Sequence, residues 1–173
     1  MKWIDYARPQ TVAEAVQLLT ERGDGARAMA GGTDLIVQLR VGRRQPDHVV
    51  DVKHIPDLNE VDTSGGGVTL GAAVPCHIIY NNEVIKDAFP ALVDSASIIG
   101  GTQIQGRASI GGNLCNAAPS ADAIPTLIAL GATANVSGST GDRSVAIEDF
   151  CTGPGQNVLG ADELLTSISI PEQ

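Results

Sequence analysis

Positive charge is scarce in this chain. Eleven Lys and Arg stand against 20 Asp and Glu, a formal net charge of −9. No basic stripe is present to neutralise phosphates, which excludes a nucleic-acid footprint. The few cations cluster once, at Arg40, Arg43 and Arg44; a solvated helix end accounts for them, since cations favour helix C-termini. Cysteine is scarce as well. Cys76, Cys115 and Cys151 lie too far apart for a metal motif. Their odd number does not read as a disulfide framework, so a reducing, intracellular setting is expected. His48, His54 and His77 form no ligand pair at i, i+4, and no structural metal is expected. No uninterrupted apolar run reaches transmembrane length. The opening Met1-Lys2-Trp3-Ile4-Asp5-Tyr6 lacks the apolar core of a signal peptide. No membrane span is therefore expected, and the location expected is cytoplasmic. The common site signatures are missing too. There is no G-x-x-x-x-G-K-S/T and no G-x-G-x-x-G after a strand, so neither a P-loop nor a Rossmann fold is supported. G-x-S-x-G is absent, and with it a recognisable Ser/His/Asp arrangement.

Aromatics make up only 3% of the 173 residues, against 20 glycines and 43% hydrophobic residues. One or two small domains are expected at this length. The profile suits a tightly turned α/β or α+β protein and argues against disorder. Thr11 and Glu14 make a capping box. Behind it, Val12, Ala15, Val16 and Leu19 share one helix face, and Gly23 ends that helix. Residues 27–30 read as a short buried strand, 34–40 as a second helix, and 48–52 as a second strand. This order predicts parallel pairing. After Ile55-Pro56 the pattern shifts. Residues 59–61 and 68–72 flank Gly65-Gly66-Gly67 as a hairpin. Helices are expected over 76–81 and 90–98, and a second hairpin over 132–147. Leu164 to Ile170 alternates as a half-buried strand. The expected fold class is α+β in two lobes: residues 1–55 a small α/β lobe, residues 56–173 a larger lobe with an antiparallel sheet.

Each lobe carries one glycine stretch. The second runs from Ser109 through Ile110, Gly111, Gly112 and Asn113 to Asp122. It reads as a strand ending near Ile110, a loop of small side chains, and a helix with Pro119 to Asp122 near its N-terminus. The first runs from Ala28 to Asp34 and also leads into a helix. From the residues alone, each is either an ordinary turn or a backbone cradle whose N–H groups hold an anion. Facing each other, the two could wrap a diphosphate. Thr33 and Ser109 could add hydroxyls, and Asn113 a donor and an acceptor. Asp122 could accept from a ribose or base, or sit as a favourable charge near a helix N-terminus. Cys115 reads as a small filler ahead of a reactive thiol. Glu148-Asp149 and Asp162-Glu163 read as solvated loops.

Ala30-Gly31-Gly32-Thr33-Asp34 and Ser109-Ile110-Gly111-Gly112-Asn113, with Pro119 and Asp122 behind, resemble a specific family. It is the FAD-binding medium subunit, or flavin domain, of the molybdenum hydroxylases, which include carbon monoxide dehydrogenase and xanthine dehydrogenase. Trp3 to Tyr6 with Pro9, and Glu163 to Pro171, are similar to that family too, so the resemblance runs the whole length. It implies a PCMH-type, vanillyl-alcohol-oxidase-like fold with FAD between two lobes. Ala28, Met29, Ala30, Gly31, Gly32, Thr33, Asp34 and Leu35, with Ser109, Ile110, Gly111, Gly112 and Asn113, are implied to contact the diphosphate and ribityl chain. Asp122 is implied to contact the adenosine half. Ile99 falls where a family member has an aromatic beside the flavin, and Leu165 where a backbone contact is expected.

The function implied is electron transfer. A molybdenum-cofactor large subunit oxidises the substrate, an iron–sulfur small subunit relays electrons, and this subunit's FAD passes them to an external acceptor. The implied assembly is a heterotrimer, alone or dimerised. A cofactor-free docking or assembly module of the same fold is the alternative. The usual C-terminal domain, of about another hundred residues, would follow Gln173 and is absent from this sequence, with the lysine contact implied in it. The cysteine ligands of the cluster that some members insert are absent as well.

Overall fold

The structure, a computed structural model, describes residues 3–173. Met1 and Lys2, the start of the segment compared above with a signal peptide, lie outside them. The first part builds a small parallel sheet. Strand β1 (Asp5–Ala7) is followed by helix α1 (Val12–Arg22), β2 (Ala26–Met29), α2 (Leu35–Arg40) and β3 (His48–Asp51). The sheet order is β1-β3-β2, with both pairings parallel. The expected parallel unit β2–α2–β3 is present, and β1 joins its far edge. With three residues, β1 is too short to show a period. Helix α1 starts as its sequence dictates: Thr11 Oγ1 accepts from the Glu14 N–H at 3.1 Å, and Gly23 ends it with φ +52°.

The larger part is an antiparallel sheet with helices against it. Its chain order is β4 (Val61–Asp62), β5 (Val68–Gly71), α3 (Cys76–Asn81), α4 (Glu83–Ala88), α5 (Pro90–Ile98), α6 (Thr102–Gln105), α7 (Ile110–Asn116), α8 (Ala123–Ala129), β6 (Thr133–Gly138), β7 (Gly141–Ala146), α9 (Ile147–Phe150), β8 (Cys151–Gly153), β9 (Gln156–Asn157) and β10 (Leu164–Ile170). The five-stranded order is β4-β5-β10-β6-β7. Both expected hairpins occupy the flanks, and β10 is the centre strand between them. A register shift between Leu165 and Ser167 interrupts its alternation, so Leu164 and Leu165 are both buried.

One expectation is corrected. Residues 110–116 do not form a small-residue loop after a strand; they are helix α7. Ser109 is extended and caps it, its Oγ accepting from the Gly112 N–H at 3.0 Å. Ile110 and Leu114 stand four apart and are both buried. The two apolar anchors and the cap outweigh the low helix propensity of two glycines. The helix that was expected to begin near Pro119 starts at Ala123. Helix α4 is an addition: Asn82 Oδ1 caps it by accepting from the Ile85 N–H at 3.1 Å.

Two apolar cores result. The larger lies between the antiparallel sheet and helices α3, α5, α7 and α8, around Ile79, Leu92, Leu114, Leu127 and Ile168. The smaller joins Ala15 and Leu19 of α1 and Val50 of β3 to Leu58, Ala73 and Leu164. It therefore crosses residue 55 and ties the parallel sheet to the larger part.

Candidate functional site

A cavity of about 540 Å³ opens between the β2–α2 connection on one side and α7 with residues 152–165 on the other. That volume is in the range of cofactor pockets, roughly 300–1,000 Å³. Of the residues singled out from sequence, Ala28, Met29, Ala30, Gly31, Gly32, Thr33, Asp34, Leu35, Ile99, Ser109, Gly111, Gly112, Asn113 and Leu165 line it. Two do not. Ile110 is in the larger core. Asp122 is exposed at the start of α8, where its side chain makes no cap bond.

The glycines do different jobs. A Cβ on Gly31 would lie 2.3 Å from the Arg107 carbonyl oxygen, and one on Gly111 would lie 2.4 Å from that of Ala72. Both are demanded by backbone packing within the chain. Gly32 has φ +76°, the left-handed region open mainly to glycine. Gly112 is the one whose added Cβ would meet only the Ser109 Oγ, at 3.1 Å. It leaves a strip of cavity wall bare.

The donor set suits a negatively charged ligand. The backbone N–H groups of Gly32, Thr33 and Asp34, and that of Gly111, have no hydrogen-bond partner among the described residues. The Gly112 N–H is already held by Ser109, so the Ser109 oxygen serves first as a cap. Asn113 Oδ1 is 3.4 Å from the Ala123 N–H that donates to it, which leaves its amide nitrogen as a donor. These neutral donors and the bare Gly112 wall fit a dinucleotide diphosphate, which amides grip without a counter-charge.

Polar ties fix the walls. Arg107 Nε donates to the Gly31 carbonyl at 2.9 Å. Lys53 Nζ donates to the Ala73 carbonyl at 2.6 Å and to that of Arg107 at 3.4 Å. Burial, and then the neighbouring Arg107, bring the Lys53 ammonium down to about 8. Next to it Asp51, buried, accepts from the Tyr6 hydroxyl at 2.6 Å. Across the mouth, Gln38 Nε2 donates to Asn116 Oδ1 at 2.9 Å.

Sequence reasoning missed the third wall. Glu163 is not a solvated loop residue: Arg143 grips it with both Nε and a terminal nitrogen, at 2.6 and 2.7 Å. That guanidinium holds the Glu163 carboxyl below the usual carboxylate range. Gly160 N–H also donates to it at 2.7 Å, fixing the turn ahead of β10. The Gly153-Pro154-Gly155 run is the sequence signal for a loop here. Arg44 also lines the cavity, although its cluster reads as a helix end. Cys115 behaves as a filler, with burial pushing its thiol up to about 12. Among the described residues no group of three or more His, Cys, Asp or Glu could hold a metal ion, and no helix is long and apolar enough to cross a membrane.

Comparison with known proteins decides the family. Residues 2–173 match the family described as FAD binding domain in molybdopterin dehydrogenase. The chain belongs to this family. This FAD-binding domain is 36% identical over 166 residues to the glyceraldehyde dehydrogenase medium chain of Sulfolobus acidocaldarius, covering 96% of the chain and 59% of that protein. It is 35% identical over 167 residues to the carbon monoxide dehydrogenase medium chain of Afipia carboxidovorans, covering 96% and 58%. Among solved structures, carbon monoxide dehydrogenase from Hydrogenophaga pseudoflava matches with a TM-score of 0.96 at 28% identity, over 99% of this chain and 60% of that one. Quinoline 2-oxidoreductase from Pseudomonas putida matches with a TM-score of 0.94 at 28% identity, over 100% and 61%. The domain thus spans about three-fifths of the length of these relatives. Its FAD-binding, medium-subunit type of fold is the one the resemblance implied.

Proposed function

We propose that this chain is the FAD-binding part of an electron-transfer subunit in a molybdenum-containing hydroxylase or dehydrogenase. Two lobes, residues 1–55 and 56–173, hold FAD in the cavity between them. The observation that carries this reading is the meeting of two distant glycine stretches on one cavity, where each presents N–H groups without partners among the described residues. Residues 32–34 and Gly111 would bind the diphosphate, and Gly112 would give it room. Asn113 would donate to the ribityl chain or a phosphate oxygen. Ile99 and Leu165 would offer an apolar edge and a backbone contact to the flavin, while Asp122, at the surface, would meet only a part of the adenosine that leaves the cavity. When bound, FAD supplies reversible electron chemistry; the protein binds, orients and shields it. Substrate oxidation belongs to a partner large subunit carrying the molybdenum cofactor. Electrons come from an iron–sulfur small subunit and leave to an external acceptor, in a heterotrimer of the kind the relatives' subunit names suggest. Three free cysteines support a reducing, cytoplasmic setting.

The test is direct. The purified chain, incubated with FAD and desalted, is expected to keep flavin absorbance near about 450 nm, a property of this cofactor class. A colourless chain that FAD cannot reconstitute would favour the docking-module alternative. Co-purification with a molybdenum-containing chain and an iron–sulfur chain tests the assembly.

A further inference from the structure

One end of the cavity is cationic, against the sign of the whole chain. Arg44 is half-buried there, its Nε donating to Gln38 Oε1 at 2.8 Å. Gln38 in turn donates to Asn116 Oδ1 at 2.9 Å. The guanidinium is thus anchored from α2 and α7 together. Its two terminal nitrogens have no hydrogen-bond or ion-pair partner among the described residues. Arg27 lines the same cavity, and among the described residues its guanidinium donates only to the carbonyl of neighbouring Ala26, at 2.9 Å. Burial, then the like charges of Arg27 and Arg43, lower the Arg44 pKa from its ordinary value. Asp24 lines the cavity as well, yet among the described residues no ion pair joins it to either arginine.

We propose that Arg44, with Arg27 beside it, is an anion subsite for a phosphate group. A guanidinium held at Nε presents a planar pair of terminal N–H groups, the geometry that grips a phosphate bidentately. Partial burial strengthens that contact relative to bulk water. A dinucleotide diphosphate would then be held by neutral amides of the glycine stretches and by one charged fork. For FAD as the source, this rests on the function proposed above. A free phosphate or nucleotide has the same chemistry.

The test uses the whole chain, with FAD and riboflavin followed by fluorescence quenching and pyrophosphate by thermal shift. Arg44→Gln is expected to weaken FAD about tenfold or more, the worth of one charge-assisted bond, and to flatten the salt dependence of its affinity. Riboflavin, which has no phosphate, is expected to bind both proteins alike. Stabilisation by pyrophosphate is expected to vanish. Arg44→Lys is expected to restore only part of the affinity, because a point charge cannot replace the fork. If Arg44→Gln fails to fold, Arg27→Gln gives the same readings with a smaller loss. Unchanged FAD affinity and salt dependence in the folded variants would overturn the subsite and leave the proposed function standing. Equal losses of FAD and riboflavin would also overturn it, since Arg44 would then act through cavity shape. If the wild-type chain binds no FAD, the proposed function fails; pyrophosphate stabilisation of wild type alone would still support the subsite, and its absence there would end it.

Discussion

Gly111 and Gly112 are neighbours in one helix, yet their replacement by alanine should have opposite consequences. At Gly112 an added Cβ meets only Ser109 Oγ, at 3.1 Å, and no positive φ stands in the way. Alanine gains about 0.8–1 kcal/mol of helix propensity there, against a small adjustment of Ser109. The expected net change in stability is under about 1 kcal/mol, so the melting temperature should move by no more than about 2–4 °C in a chain of this size. The methyl group fills the bare strip of cavity wall, and Gly112→Val fills more of it. FAD affinity should fall about tenfold for alanine and further for valine, tenfold corresponding to roughly 1.4 kcal/mol. At Gly111 the added Cβ would sit 2.4 Å from the Ala72 carbonyl oxygen. Both sides of that contact are backbone, so overpacking of about 1–3 kcal/mol or more is expected, and the melting temperature should drop by several degrees. Flavin fluorescence titration and thermal melting of the three variants read both effects. Gly112→Val with wild-type FAD affinity, or Gly111→Ala with an unchanged melting temperature, would refute the division of labour.

Other perturbations have equally definite expectations. Ser109→Ala removes the cap of α7 and should cost about 1 kcal/mol, seen as a lower urea midpoint. Lys53 titrates near 8 when folded and near 10.5 as the free side chain, so between those values the unfolded chain holds more protons. Stability should therefore rise with pH across that window, by less than about 1.4 kcal/mol per unit from this group, because its partial exposure lets solvent screen the charge. Urea melts at pH 7.5 and 9.5 should show the rise shrink in Lys53→Met. Burial pushes the Cys76 thiol up to about 11 and that of Cys115 up to about 12, so neither is a thiolate at neutral pH. Both should resist iodoacetamide at pH 8 while the chain is folded and react once urea unfolds it.

Much of this architecture was legible because local and tertiary signals agree. The capping box at Thr11 and Glu14, the glycine turns of both hairpins and the alternation of β10 each name an element that packing then keeps. The parallel unit was readable from its strand–helix–strand order. Helix α7 was not, because Gly111, Gly112 and Asn113 argue for a loop by propensity. What makes the segment helical is its burial between Ala72 and the larger core, which no local pattern reports. The first two walls of the cavity were found from their glycines. The third depends on Arg143 reaching Glu163 twenty positions away, a pairing that adjacent carboxylates in sequence do not reveal. Arg44 was hidden for a similar reason, since only the fold turns a cation at a helix end toward a cavity.

Placing β10 at the middle of the antiparallel sheet has a consequence for how the chain is made. Thr69 and Ser169 touch across the β5–β10 pair although they are 100 positions apart. The flanking hairpins close over short loops and can form as soon as they emerge from the ribosome, but no strand pairing joins them until β10 is synthesised. Long-range pairing of this kind is slow, because the chain entropy is lost before the strand contacts form. During synthesis the inner edge of β5, and later that of β6, stays unpaired until β10 appears, an aggregation hazard of the sort chaperones shield. Leu165 belongs to the same strand and to the cavity wall, so the chamber is completed by the step that joins the sheet, and capture of a flavin dinucleotide must come after it.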